Sequence, residues 1–406
     1  MATAEQEVRG IARYSALFAN SHAAALLAWG IVARLPLGMG ALALVLLVRG
    51  AGGSYSDAGI VTAMFGAGVA VGAPYAGRQV DRRGARLVLR VRMVLCSAFF
   101  ALIAVLGAIA APIPLVAAAA AAAGLTMAPI APALRSIWPT VAGEDGAHTA
   151  YALDAALQEM IWVGGPLIVT ILAAFDPVAA VAGIAVIAFA GTFNFSRLPP
   201  IMASAPAVGR HSSRLGALSA VGVRTIALTA ICLGFGFGSL EIAVPAFADL
   251  QGNRALAGIG LAGFAAGSLV GGLLAGLRPI RDERQRILVG TLVLSGAVAL
   301  PLAATSMVTM TLLLFVAGLP IAPVVAGVYG LLGRVSAPGT VAEAFSWFGT
   351  AIGVGIAAGN LAGGWLIDAR GWRGSAVLAI VGVGTACLVT FLRRSTLARG
   401  DEAQPT

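Results

Sequence analysis

The chain has 406 residues, of which 59% are hydrophobic and 11% charged, and its formal net charge is +9. So little polar surface excludes a soluble domain of this size and makes the bilayer the solvent. All 26 basic residues are arginine, and Cys96, Cys232 and Cys387 each lie in an apolar run, with neither a disulfide framework nor a metal-ligand spacing.

At the N-terminus, Glu5, Glu7, Arg9 and Arg13 precede an apolar run longer than a signal-peptide core, read here as a retained first span. About twelve runs of roughly 20 apolar residues are predicted to cross the membrane as helices. In the first half they centre near Arg34, Gly68, Phe99, Leu125, Trp162 and Ile187, and in the second near Phe235, Gly267, Leu294, Ala317, Val354 and Val383. The longest polar break, Arg197 to Arg214, falls between the sixth and seventh runs. The expected organisation is an all-α polytopic membrane protein, with one six-helix bundle at 1–198, a cytoplasmic linker at 199–215 and a second bundle at 216–406.

With the N-terminus inside, the predicted outer loops hold only Arg49, Arg254, Arg370 and Arg373, while nearly all other arginines fall inside. The positive-inside rule therefore predicts both termini on the cytoplasmic face, and the +9 is mostly a topology signal; the membrane is expected to be a bacterial inner membrane. Nucleic-acid binding is not supported.

The second half repeats the first. Ala58-Gly59-Ile60 recurs as Ala257-Gly258-Ile259, and the same displacement carries Gly68, Gly72 and Gly77 onto Gly267, Gly271 and Gly276. Pro129-Ile130-Ala131-Pro132 recurs as Pro320-Ile321-Ala322-Pro323, and Tyr151 and Gly165 match Phe345 and Gly359. An even number of spans per copy gives both copies one orientation, with a site expected between them near the midplane.

After the second span comes Gly77-Arg78-Gln79-Val80-Asp81-Arg82-Arg83-Gly84-Ala85-Arg86. This resembles the signature loop of the major facilitator superfamily, with Gly77, Asp81, Arg82, Gly84 and Arg86 matching and Ala85 replacing a basic residue. The resemblance implies two bundles working by alternating access, with this loop gating the inner face. Asp81 is expected near a helix N-terminus such as that of the eleventh span, with Arg82 and Arg86 in a charge network. The second copy, Gly276-Leu277-Arg278-Pro279-Ile280-Arg281-Asp282-Glu283, has lost the pattern, so the gate is expected to be asymmetric.

Ionisable groups inside spans mark the expected site, because hydrocarbon is costly for them. They are Arg34 in the first span, Asp154 and Glu159 in the fifth, Glu241 in the seventh and Glu343 at the start of the eleventh. The resemblance places these helices among those lining the cavity. Arg34 reads as an anion contact, as a counter-charge to Glu159 or Glu241, or as a structural group on carbonyls freed by Pro36. Glu159 and Glu241 read as proton carriers or as permanently paired acids. Asp154 reads as the partner of Arg135, and Glu343 as an acid in a first helical turn. Trp347, more than Trp138 or Trp162, is a candidate cavity wall. Gly164-Gly165-Pro166 is similar to the superfamily's antiporter element but lacks its following small pair.

His22, His148 and His211 are scattered, and no phosphate loop or catalytic constellation is present, so neither an enzyme nor a cofactor is expected. The expected activity is export of a small organic molecule coupled to the proton gradient, by a monomer in the bilayer. The alternatives are uptake of a small anionic metabolite or sugar, or a non-transporting sensor on the same fold.

Overall fold

The computed structural model describes residues 12–204, 206, 215–252, 256–277 and 283–397, and among them there is no strand. Arg9, Arg254 and Arg399, most of the linker and Arg278–Asp282 of the second loop lie outside the described residues. Twelve helices are long and apolar enough to cross a membrane. They are α1 (Ala23–Gly50), α2 (Asp57–Arg83), α3 (Ala85–Ala108), α4 (Ile113–Gly143), α5 (Gly146–Ala173) and α6 (Pro177–Ser196), then α7 (Val221–Leu250), α8 (Leu256–Gly276), α9 (Glu283–Ala303), α10 (Met307–Val335), α11 (Val341–Arg370) and α12 (Trp372–Leu392). In hydrocarbon only such internally bonded backbones are viable, which is why apolar run and helix coincide.

Within each bundle the repeated glycines are where backbones meet. A Cβ added at Gly68 or Gly72 of α2 would fall on the carbonyl oxygens of Ala121 and Leu125 in α4. In the second copy, Gly267 and Gly271 of α8 meet Phe315 and Leu319 of α10 in the same way. Small residues here replace a hydrophobic driving force with close van der Waals contact. The same symmetry relates α1 to α7. Gly38 packs on Ile161 of α5, and Gly238 on Ile356 of α11.

Both Pro-Ile-Ala-Pro elements interrupt their helices, at residues 126–129 in α4 and at Leu319-Pro320 in α10. Proline supplies no amide donor, so carbonyls upstream lose their partners. In α4 the buried Arg92 of α3 takes them over, its Nη1 donating to the carbonyls of Leu125 (2.9 Å) and Met127 (3.1 Å).

Across the two bundles, α2 packs on α11 and α5 on α8. Between described residues, the bundles are bonded near the arginine-rich end and at mid-helix, among these bonds Thr350 Oγ1 to the Ala70 carbonyl (3.2 Å) and Ser268 Oγ to Glu159 (3.0 Å). Towards the opposite end, Gly59 and Gly66 of α2 and Gly353 of α11 have open space beside them. The bundles are thus joined at the arginine-rich end, with open space beside these glycines towards the other.

Gly72→Val should therefore destabilise the fold by about 1–3 kcal/mol, as overpacking does. Gly59→Val, beside open space, should leave the melting temperature unchanged. Thermal unfolding in lipid nanodiscs measures both.

Candidate transport site and gate

The charged core of the first bundle is built from three helices. Asp154 of α5 is fully buried and lies between two arginines, Arg34 of α1 at 2.8 Å and Arg135 of α4 at 2.7 Å. Arg34 also donates through Nε to the Gly30 carbonyl (2.9 Å), and both guanidinium groups make long contacts to Oε1 of Gln158. Burying two cations is tolerable only because the carboxylate serves both. The pairing of Arg135 with Asp154 is the one expected. Arg34 differs, because its counter-charge is Asp154, not Glu159 or Glu241. Its carbonyl partner Gly30 is also not freed by Pro36, which would release Val32.

Arg135 looks out of its own bundle. Its guanidinium lies over the ring of Tyr329 in α10, 3.9 Å from the centroid. Tyr329 packs edge-on against Phe345 and Phe348 of α11, each at 5.7 Å, and against Tyr151 of α5 at 6.2 Å. This aromatic group joins the bundles between the charged core and the arginine-rich end. Trp347 is half-buried against the hydrophobic cluster that also contains Tyr151, Tyr329 and Phe345, its Nε1 without a partner among the described residues. Trp138 is fully buried, and Trp162 is 52% exposed, so neither forms that wall.

Two sets of inter-bundle contacts, termed latches below, lie at the arginine-rich end. In the first, the Asp81 carboxylate accepts hydrogen bonds from the amides of Ala342 (3.0 Å) and Glu343 (2.8 Å), the unsatisfied donors at the start of α11. Gly77 lets the backbones meet, since a Cβ there would strike Ser346 and Ala342. Gly84 joins α2 to α3 with φ of 79°, a conformation that favours glycine. The charge network differs from expectation. Arg82 and Arg86 are exposed and make no ion pair among the described residues, whereas Arg78 pairs with the buried Glu343 at 2.6 Å. Glu343 thus sits in a first helical turn, as read, and also bridges the bundles.

The second latch involves a residue that no sequence pattern singles out. His148, two residues into α5, lies 2.9 Å from the buried Glu283 at the start of α9, and Arg334 of α10 holds the other carboxylate oxygen at 3.1 Å. Its position mirrors the first latch, because the displacement that carries Tyr151 onto Phe345 carries His148 onto Ala342. The degenerate second loop therefore still ends in an acid that reaches the opposite bundle. Beside it, the Tyr14 hydroxyl donates to the Leu273 carbonyl (2.9 Å), and burial pushes its phenol up to about 12, which keeps the donor protonated.

The remaining acids fall apart from this core. Glu159 is half-buried where α5 meets α8, and its one hydrogen bond among the described residues comes from Ser268 Oγ (3.0 Å). Glu241 is exposed, with no partner among the described residues. It is not the counterpart of Arg34. The glycine register places Gly234 at the Arg34 position and Ala41 at that of Glu241, about two helical turns away.

The family model of the major facilitator superfamily matches residues 23–281 and 226–405, two overlapping stretches that together span nearly the whole chain. The chain belongs to the major facilitator superfamily. Among solved structures of similar fold, a bacterial homologue of the iron transporter ferroportin in an outward-facing state has a TM-score of 0.74 at 15% identity, covering 91% of this chain and 98% of that one. A single-residue variant of the Escherichia coli fucose:proton symporter has a TM-score of 0.68 at 14% identity, with coverages of 91% and 98%. The human organic anion transporter MFSD10 has 0.61 at 16%, with coverages of 92% and 98%. These likenesses show the fold. No curated protein matches the chain. As a superfamily member it is a multi-pass membrane transporter, not an enzyme.

The two latches should act independently. With the native cysteines replaced, Ser346→Cys should be labelled slowly by maleimide from the arginine-rich face. Asp81→Asn should speed labelling several-fold, because roughly 1–2 kcal/mol of charge–dipole stabilisation is lost. Glu283→Gln should do likewise, and the double variant should approach the product of the two factors. Unchanged labelling would remove the gating role.

Proposed function

We propose that this protein is a proton-coupled exporter of a small organic molecule, working by alternating access as a monomer in a bacterial inner membrane. The observation that carries the reading is the one-sided joining of the bundles around a buried charged core. Taking the arginine-rich end as cytoplasmic, by the positive-inside rule, this is the state closed inwards and parted outwards. Opening the latches would part Tyr329 from Arg135 and bring the charged core into contact with the cytoplasm, so loading from inside is the direction the layout favours.

Glu159 is the proposed proton carrier. It lies at the inter-bundle contact, its hydrogen bond to Ser268 must break when α5 and α8 separate, and no cation stands within ion-pair distance among the described residues. A carboxyl so placed can exchange protons with whichever side is open. Glu241, exposed and remote from the core, is not given that role.

Proteoliposomes with an imposed pH gradient and internal pyranine test the reading. A solute panel should include compounds that move protons with them, outward relative to the cell. Glu159→Gln should abolish uphill flux by tenfold or more while sparing exchange at equilibrium. Flux in the opposite sense would turn the direction to uptake. Absence of solute-linked proton movement across the panel would favour a non-transporting sensor.

A further inference from the structure

The charged core carries a surplus. Arg34 and Arg135 are two cations with side chains only 4% and 7% exposed, and one acid, Asp154, lies between them. The other groups facing the pair are Gln158, which is neutral, and the aromatic rings of Tyr151 and Tyr329. Glu159 lies beyond ion-pair distance and is bonded to Ser268. An uncompensated buried cation is expensive, and proteins keep one where a ligand neutralises it or where it is partly sheltered. Here the shelter is specific. The open face of the Arg135 guanidinium is covered by the electron-rich face of Tyr329, from the opposite bundle.

That arrangement cannot survive the opening of the inner end. Tyr329 belongs to the second bundle and must leave with it, whereas Arg34, Arg135 and Asp154 all belong to the first and stay together. Opening therefore uncovers a planar cation whose remaining donors have no protein acceptor. We infer that this is an anion site, in which the carboxylate, sulfonate or phosphate group of an organic anion binds Arg135, with Arg34 behind it, in place of the Tyr329 ring. The aromatic residue beside it, Tyr151, suits an apolar body on the ligand. Tyr329 and the anion compete for one face of one arginine. Inner-gate closure and anion release are then the same event. This inference rests on the alternating-access reading and assigns its substrate class.

The test uses the whole protein in lipid nanodiscs, with benzenesulfonate as a permanently anionic probe and benzenesulfonamide as its neutral isostere. Benzenesulfonate should raise the melting temperature in a concentration-dependent way and benzenesulfonamide should not. Benzenesulfonate should also speed maleimide labelling of Ser346→Cys, since it displaces Tyr329 and opens the inner end. Arg135→Gln leaves the neutral pair Arg34–Asp154 and should weaken the probe by about tenfold or more. Asp154→Asn should have the opposite effect. With both arginines unpaired, the apo protein should melt lower and the benzenesulfonate shift should exceed that of the wild type. Equal shifts for the two probes, or no benzenesulfonate shift in either the wild type or Asp154→Asn, would overturn the anion site. The two levels separate cleanly. Glu159-dependent uphill flux without any anion effect leaves the transporter reading standing and removes the site. An anion effect as described without solute-linked flux leaves the site and removes the coupled-export reading.

Discussion

A single carboxylate governs the interior of this molecule. Asp154, with no exposed surface, is the common partner of arginines from two other helices, so α1, α4 and α5 are tied at one atom pair each to one residue. In hydrocarbon, removing one partner of such a group leaves the others charged and unsatisfied, a loss of about 3–5 kcal/mol. The first bundle is therefore bound to move as a unit. The charged core lies wholly in that unit, while the group covering its outer face belongs to the other. Movement of one rigid body against another is enough to switch the core between covered and uncovered, without internal rearrangement.

The duplication explains why there are two latches and why they differ. In both copies the end of the second helix of a bundle, or the loop after it, approaches the start of the fifth helix of the other. In one case an acid meets bare amides at a helix start, reinforced by Arg78 and Glu343. In the other a buried acid meets an imidazole and a guanidinium. The first relies on backbone donors that every helix offers. The second relies on side chains, so it was free to drift in sequence while keeping its place in the architecture.

Much of this is legible in the chain. Hydropathy marks the spans because the solvent selects them, and the repeated glycines mark close helix packing, which the structure places between α2 and α4 and between α8 and α10. The charge of Asp81 suits a helix start, and the resemblance of its loop points to that of α11. Partner choice is what the chain does not supply. Helical periodicity states which residues share a face but not which neighbour that face meets, so it offers Arg34 the acids Glu159 and Glu241 instead of Asp154. In the glycine register Glu241 lies about two turns from the position equivalent to Arg34. His148, Tyr329 and Arg78 carry no local signal at all. Their importance comes from residues far along the chain, on the other bundle.

The break in α4 has a mechanical consequence. Arg92 pins its loosened carbonyls to α3, so the break behaves as a braced joint and the two segments of α4 transmit force as one rod. At the equivalent break, Leu319-Pro320 in α10, the Val316 carbonyl is met by backbone alone, accepting from the Leu319 amide (3.3 Å). Compliance is thus unequally shared between copies that look alike in outline. The half that carries Asp154 has a braced joint in α4, and the half that carries Tyr329 has an unbraced elbow in the helix that, in the proposed opening, swings the ring aside.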